Sequence, residues 1–138
     1  MKTVLAVDDD VAFLFWLART LESTNFRVVP ATDVLEAEAI MAELGLEPDL
    51  VIINPALSRG DEYIAVLRRT HPSLVVLAAL EESTPDAIVR SVSADRVERK
   101  PTGLTGIAPD DAQTLHTWRA EWLYAIRMAL MGRSTSAD

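Results

Sequence analysis

Residues 3–10 read Thr-Val-Leu-Ala-Val-Asp-Asp-Asp, a short apolar run that ends in three acids. A continuous apolar run of this length predicts a strand that is buried on both faces, as in a parallel sheet. Acids at the end of a buried strand are costly unless they meet a cation. The segment therefore predicts a buried strand with an ionic site at its carboxyl end.

The rest of the chain repeats this pattern of short apolar runs followed by segments with helical periodicity. The predicted strands are 3–7, 26–31, 49–54, 74–80 and 95–99. This alternation indicates βαβ units and a parallel sheet with helices on both faces. We expect an α/β, flavodoxin-like three-layer sandwich with strand order 2-1-3-4-5, in which the site lies at the carboxyl ends of the strands. Residues 1–131 form one domain in this reading, and residues 132–138 form a flexible tail.

Two helix starts are marked by their sequences. Asp33 precedes a helix and has Glu36 three residues later, the spacing of a capping box. Thr84-Pro85-Asp86 offers a capping hydroxyl, a proline at the first helical position and an acid in the first turn. We expect the second of these helices to run to about Ser93, and a long final helix to run from about Asp110 to Met131.

Composition excludes several classes of function. The chain has 138 residues, a formal net charge of −8 and no cysteine. An acidic chain lacks the excess of lysine and arginine on which binding to nucleic acids and anionic membranes depends. Without cysteine there is no disulfide framework and no thiolate metal site. There is no signal peptide and no apolar stretch of about 20 residues, so we expect a cytoplasmic protein.

Three segments, in this order and spacing, resemble the receiver domains of two-component response regulators over residues 2–131. They are Val-Leu-Ala-Val-Asp-Asp-Asp at 4–10, Pro-Asp-Leu-Val-Ile-Ile at 48–53 and Lys-Pro at 100–101. The resemblance implies a CheY-like fold, an acidic pair at Asp8 and Asp9, and the family's lysine at Lys100, followed by Pro101, whose peptide bond is often cis. It also implies phosphorelay signalling without enzymatic activity, through a histidine kinase, a phosphotransferase or a downstream effector.

The chain departs from this family where phosphate chemistry occurs. In the family an aspartate ends the third strand, accepts the phosphoryl group and holds Mg²⁺ with the acidic pair, but here that position is Asn54. A carboxamide is a poor nucleophile and cannot form the aspartyl phosphate. The switch hydroxyl of the fourth strand corresponds to Ala78, and the switch aromatic of the fifth corresponds to Val97. Because all three are changed, we interpret the chain as a natural pseudo-receiver that acts independently of phosphorylation, rather than as one engineered at Asn54.

The remaining pocket residues leave two alternatives open. Asp9 and Asp8, with the carbonyl oxygen of Asn54, offer hard oxygen ligands for weak Mg²⁺ binding. Alternatively, Lys100 reaches across and neutralises the acidic pair, which gives a structural ion pair. No cofactor is required under either alternative.

Two helices carry more apolar residues than one buried face requires. In the first helix Phe15 and Trp16 are candidate contact residues for a kinase or phosphotransfer partner, unless the protein's own final loop or helix covers them. The final helix has one apolar stripe, expected in the core, at Leu115, Trp118, Trp122, Ile126 and Ala129. A second apolar sector predicts a homodimer or partner interface, and its members are Leu123, Tyr124, Met128 and Met131.

Functions of other classes fit less well. A phosphatase of the haloacid-dehalogenase type would use Asp8 and Asp10, but Ala12 stands where that family has threonine or valine. A flavodoxin-type cofactor binder would need more glycine and hydroxyl groups after the first strand. The sequence contains no DNA-binding output domain, so output is expected through another protein or through a larger protein of which this chain is a part.

Overall fold

The computed structural model describes residues 1–102, 104 and 112–136, with residues 112–114 and 133–136 described by their backbone only. Within these described residues, five strands alternate with five helices, as the sequence predicts. In chain order the elements are β1 (Lys2–Val7), α1 (Val11–Glu22), β2 (Phe26–Ala31), α2 (Val34–Glu43), β3 (Leu50–Ile53), α3 (Gly60–Thr70), β4 (Val75–Leu80), α4 (Asp86–Ser91), β5 (Arg96–Arg99) and α5 (Ala112–Ser136).

The five strands form one parallel sheet in the order β2-β1-β3-β4-β5, which confirms the predicted topology. The register aligns the carboxyl ends of the central strands. Val7 pairs with Ile53, and Ile53 pairs with Ala78. The residues that follow β1, β3, β4 and β5 therefore meet at one edge of the sheet.

The sheet separates two apolar cores. The core on the α1 and α5 side contains Leu17, Ile52, Leu77 and the completely buried Trp122. The core on the α2 and α3 side contains Val51, Ile64 and other residues. Because alternate residues of β1, β3 and β4 enter opposite cores, these strands are apolar on both faces, as their uninterrupted apolar sequences indicate.

The two predicted helix starts have different outcomes. Asp33 caps α2, since its Oδ1 accepts a hydrogen bond from the Glu36 backbone N–H at 2.7 Å, and the Glu36 carboxylate accepts one from the Thr32 N–H at 3.0 Å. The prediction that Thr84 caps α4 is wrong, because α4 has Pro85 at its N-cap position and no side-chain cap. The helix also ends at Ser91, earlier than predicted, and none of its residues is buried.

The last helix differs from its predicted bounds. It continues to Ser136, past the end predicted at Met131, so most of the segment expected to be a flexible tail is helical. The start predicted near Asp110 lies outside the described residues. Of the helices within the described part of the chain, none combines the length and the apolar character needed to span a membrane.

Candidate functional site

Four polar side chains gather at the carboxyl edge of the sheet. Asp8 follows β1, Asn54 follows β3, Glu81 follows β4 and Lys100 follows β5. Asp8, Asn54 and Lys100 are all less than 5% exposed, whereas the Glu81 side chain is half exposed. The structure therefore brings together polar side chains from four different strand ends.

Lys100 lies at the centre of the site. Its Nζ is 2.7 Å from Glu81 Oε1, 3.1 Å from Asp8 Oδ2 and 3.4 Å from Asp10 Oδ2. The same ammonium lies 5.2 Å from the centre of the Phe13 ring, within the range of a cation–π contact. A buried ammonium is tolerated only when it is paired in this way. The structural ion pair left open by the sequence is therefore formed, with Asp10 rather than the exposed Asp9 as the second aspartate.

The acids after β1 also shape the local backbone. Asp8 Oδ1 accepts a hydrogen bond from the Asp10 N–H at 2.9 Å, which holds the turn that follows the strand. Asp10 is the N-cap of α1, and its Oδ1 accepts a hydrogen bond from the Phe13 N–H at 3.1 Å. Asp10 thus binds Lys100 with one oxygen and starts α1 with the other.

Burial and pairing act on the protonation of this site in opposite directions. Burial raises the pKa of Asp8, and the hydrogen bond from Asp10 and the charge of Lys100 offset this only in part. Burial alone would lower the pKa of Lys100. The hydrogen bond to Glu81 and the charge of Asp8 outweigh burial, so the pKa of Lys100 is raised above its ordinary value. Lys100 is therefore charged at neutral pH.

Asn54 is held at both ends of its amide group. Its Nδ2 donates a hydrogen bond to Glu81 Oε1 at 3.2 Å, and its Oδ1 accepts one from the Ala56 N–H at 2.9 Å. A carboxylate here could accept from Ala56 but could not donate to Glu81. The side-chain amide therefore fits its surroundings.

Glu81 is the pocket residue that the sequence reasoning missed. It follows β4 directly, just as Asp8, Asn54 and Lys100 follow their own strands. This position was the available signal, because any polar residue directly after a buried parallel strand is a candidate for the site at the sheet edge.

The register of the sheet shows where the two predicted switch residues, Ala78 and Val97, lie. Leu77 and Ala79 belong to the core on the α1 side, which Ile52 also enters, so Ala78 points to the opposite face. By the alternation of side chains, Ala79 shares the face of Asn54 and is level with it. The prediction that Ala78 occupies the switch position next to Asn54 is therefore wrong by one residue, although Ala79 also lacks a hydroxyl. Val97 pairs with Ala78 and is partly exposed.

Proline follows the buried lysine, as expected from the resemblance. Pro101 is buried. Among the described residues there is no cis peptide bond, so the Lys100–Pro101 bond is trans, in contrast to the bond often seen in the family.

The pocket side chains do not form a set of metal ligands. The Asp8 oxygens are bound to Lys100 and to the Asp10 N–H, and Asn54 Oδ1 is bound to the Ala56 N–H. Within the part of the chain that the structure describes, no group of three or more His, Cys, Asp and Glu side chains is arranged to hold a metal ion. Asp8 therefore has both carboxylate oxygens engaged within the protein, whereas Asp9 is exposed.

The two candidate contact residues of α1 have different surroundings. Phe15 is 65% exposed. Trp16 packs against the buried rings of Phe13 and Trp122, with ring centroids 6.2 and 6.3 Å away. Trp16 is therefore partly covered by the protein's own final helix, which is the alternative to a partner contact that the sequence left open.

The two apolar sectors of α5 differ in their burial. Trp122, Ile126 and Ala129 are buried, as predicted for the core stripe, and Trp118 packs at its margin. Leu123, expected at an interface, is instead buried in the same core, and that assignment is wrong. The remaining members of the second sector are exposed to different degrees: Tyr124 (59%), Met128 (37%) and Met131 (59%).

Comparison with family models finds no match to this chain. Among curated proteins, the sensor kinase CckA of Brucella abortus (strain 2308) is 34% identical over 95 residues, which cover 67% of this chain and 10% of the kinase. The chain therefore corresponds to about a tenth of the length of this relative.

Several solved structures superpose on nearly the whole of this chain. A CheY-like receiver domain protein from Methanospirillum hungatei JF-1 superposes with a TM-score of 0.74 at 19% identity, covering 99% of this chain and 98% of the other. The response regulator domain of Thermotoga maritima CheB gives a TM-score of 0.66 at 27% identity, covering 94% and 96%. NtrX from Brucella abortus gives 0.70 at 21% identity, covering 99% of this chain and 28% of that protein. Together with the sheet order, these likenesses show that the protein has the CheY-like fold of response-regulator receiver domains.

Proposed function

We propose that this chain is a receiver module of two-component signalling that transmits its signal by protein contact and does not accept a phosphoryl group. The observation that carries the proposal is the position of Asn54. Its amide stands at the end of β3 and is bound on one side to Glu81, whose Oε1 also contacts the buried Lys100, and on the other side to Ala56. A receiver that accepts phosphate needs a free carboxylate there.

The chemistry of the pocket supports this proposal. The amide nitrogen of Asn54 has its lone pair delocalised into the carbonyl group, and the amide oxygen carries no negative charge, so neither atom is an effective nucleophile. Lys100, which could neutralise an incoming anion, is already surrounded by Asp8, Asp10 and Glu81. The attacking group for phosphoryl transfer is therefore missing, and the cation is already occupied.

We also propose that the module requires no cofactor and that any Mg²⁺ binding is weak. Asp9 is exposed and available, but Asp8 is engaged with Lys100. A hard divalent cation bound by one free carboxylate and water is held loosely.

Protein partners are proposed from the relative and from exposed apolar side chains. The related segment belongs to a sensor kinase, which favours a kinase, a phosphotransferase or an effector as the partner. Val11 and Phe15 on α1 are each 65% exposed and offer one contact surface. Tyr124, Met128 and Met131 on α5 offer a second, which we assign to a homodimer.

A direct test is to incubate the protein with acetyl phosphate and Mg²⁺ and to measure its intact mass. We expect no added phosphoryl group, whereas a receiver that retains its aspartate should gain one in the same experiment. A phosphorylated species of the wild-type protein would contradict the proposal. Turnover of a generic phosphate ester would favour the haloacid-dehalogenase alternative, although Asp8 and Asp10, its required acids, both bind Lys100 here.

A further inference from the structure

The Glu81 carboxylate joins the ends of three strands. Its Oε1 is 2.7 Å from Lys100 Nζ at the end of β5 and accepts the Nδ2 hydrogen bond of Asn54 at the end of β3. Glu81 itself begins the segment between β4 and α4. One oxygen atom therefore connects this segment to the residue that follows β3, where the family has its phosphate acceptor, and to the buried lysine that follows β5.

The backbone of the same segment is held by the residue before Lys100. Arg99 Nη1 donates hydrogen bonds to the carbonyl oxygens of Glu81 and Glu82 at 3.0 and 2.8 Å. Its Nη2 donates to Asp86 Oδ1, in the first turn of α4, at 3.3 Å. Two consecutive residues at the end of β5 thus hold the side chain and the backbone of residues 81–86.

α4 has little apolar packing of its own. It is six residues long, none of its side chains is buried, and Ile88 is 52% exposed. Helix position in a globular domain normally depends on an apolar face packed against the core. The position of α4 therefore depends strongly on the polar contacts of residues 81–86.

The same strand end is in contact with α5. Trp122 Nε1 donates a hydrogen bond to the Arg99 carbonyl oxygen at 3.0 Å, and the Trp122 side chain is completely buried. A change in the position of Arg99 and Lys100 would therefore alter the surroundings of this indole.

From these contacts we propose that Glu81 is a positioning residue that acts as a permanent internal anion. Its charge holds Lys100 and Asn54 together and fixes the β4–α4 segment in one conformation, without an external phosphoryl group. This inference rests on the proposed function and deepens it, because it explains how a receiver without phosphorylation keeps one signalling conformation. Since Glu81 is half exposed, neutralising it removes a contact without opening a cavity in the core.

The test compares Glu81→Gln with Glu82→Gln, a matched control that neutralises a neighbouring exposed acid. We measure amide hydrogen exchange over residues 81–91, the NMR titration of the Lys100 ammonium group and the NMR signals of the Asn54 amide and the Trp122 indole. In Glu81→Gln we expect amide exchange of residues 81–91 to accelerate about tenfold, because the variant loses one charge-assisted hydrogen bond. The pKa of Lys100 should fall, and the Asn54 and Trp122 signals should move.

Glu82→Gln should match the wild type in all of these measurements. Unchanged exchange in Glu81→Gln, or an equal acceleration in both variants, would overturn the inference. A fall in the pKa of Lys100 separates loss of the ion pair from a general loosening of the fold. The proposed function has a separate test, because phosphorylation of the wild-type protein would contradict it. After that result, the role of the Glu81 contacts would still be tested by the exchange measurement.

Discussion

Lys100 Nζ and Asp8 Oδ2 lie 3.1 Å apart, although their positions in the chain differ by 92, and both side chains are almost completely buried. The pair joins the end of β1 to the end of β5, the strand at the edge of the sheet. It also orders the pocket at the carboxyl edge of the sheet, where Asn54 presents an amide. The stability of the domain and the geometry of the pocket are therefore linked through this contact.

Removing one partner of this pair should cost more than removing both. Lys100→Met leaves Asp8 buried without its cation, and we expect the free energy of unfolding at pH 7 to fall by about 3 kcal/mol or more. The double change Asp8→Asn/Lys100→Met removes the unpaired charge and should recover part of that loss. Urea unfolding followed by circular dichroism measures both values. Equal losses in the single and double variants would contradict the buried pair.

Alkaline pH should weaken the fold through two groups. The pKa of Lys100 is raised in the folded protein, and burial together with the charge of Glu38 raises the pKa of Tyr63 from 10.0 to about 12. In both cases the folded state holds the proton more tightly than the unfolded chain does. Their contribution is therefore complete below the unfolded-state pKa values and is lost as the pH rises through the folded-state values.

We accordingly expect the free energy of unfolding to fall steeply above about pH 10, because that is the ordinary pKa of tyrosine and near that of lysine. Urea titrations at a series of pH values measure this slope. Tyr63→Phe and Lys100→Met should each reduce it by removing one of the two groups. If neither variant changes the slope of the wild type, residues other than Lys100 and Tyr63 cause the loss of stability at alkaline pH.

Gly60, at the start of α3, should not tolerate a side chain. A Cβ atom there would lie 2.7 Å from the Pro55 carbonyl oxygen and 3.0 Å from that of Asn54. Because both contacts are to backbone atoms, relief requires the loop after β3 to move, and we expect Gly60→Ala to cost about 2 kcal/mol. Gly132→Ala is the matched control, since no described atom outside its own helix backbone lies within 4 Å of the added Cβ.

For Gly132→Ala in α5 we expect no loss and a gain of up to about 1 kcal/mol from helix propensity. Thermal unfolding distinguishes the two variants. A Gly60→Ala protein as stable as the wild type would show that the loop carrying Asn54 is more adaptable than its close contacts indicate.

The α5 surface should mediate self-association. Tyr124 and Met128 are exposed on this helix, and charged side chains at both positions should weaken a homodimer without disturbing the core. We expect light scattering across a concentration series to show dimers for the wild type and monomers for Tyr124→Glu/Met128→Glu. Leu123 is unsuitable for this test, because a charge at this buried position would unfold the domain. Monomeric wild-type protein at all concentrations would contradict the homodimer.

The sequence predicted the sheet and most of the site because both depend on simple patterns. Strand β2 has its predicted bounds, and the strand order follows from alternating strands and helices. Asp8, Asn54 and Lys100 were identified because polar residues that directly follow buried strands lie together at the sheet edge.

The errors occurred where the sequence offers no periodic signal. β4 reads Val-Val-Leu-Ala-Ala-Leu, apolar at every position, so its register was uncertain by one residue and Ala78 was placed where Ala79 lies. α5 is apolar in two sectors, and the sequence does not tell on which side of the core stripe Leu123 falls. Glu81 stands outside the segments that carry the family resemblance, and its contact with Lys100 depends on how the β4–α4 segment folds back.

We propose that the pocket neither accepts a phosphoryl group nor responds to a phosphoryl donor. This is tested by NMR of the wild-type protein in Mg²⁺ alone and in Mg²⁺ with excess acetyl phosphate, following the Asn54 side-chain amide and the Trp122 indole. We predict that the two spectra agree at both signals, because Glu81 and Lys100 already occupy the pocket. A second set of signals, or shifts that depend on acetyl phosphate, would contradict this proposal.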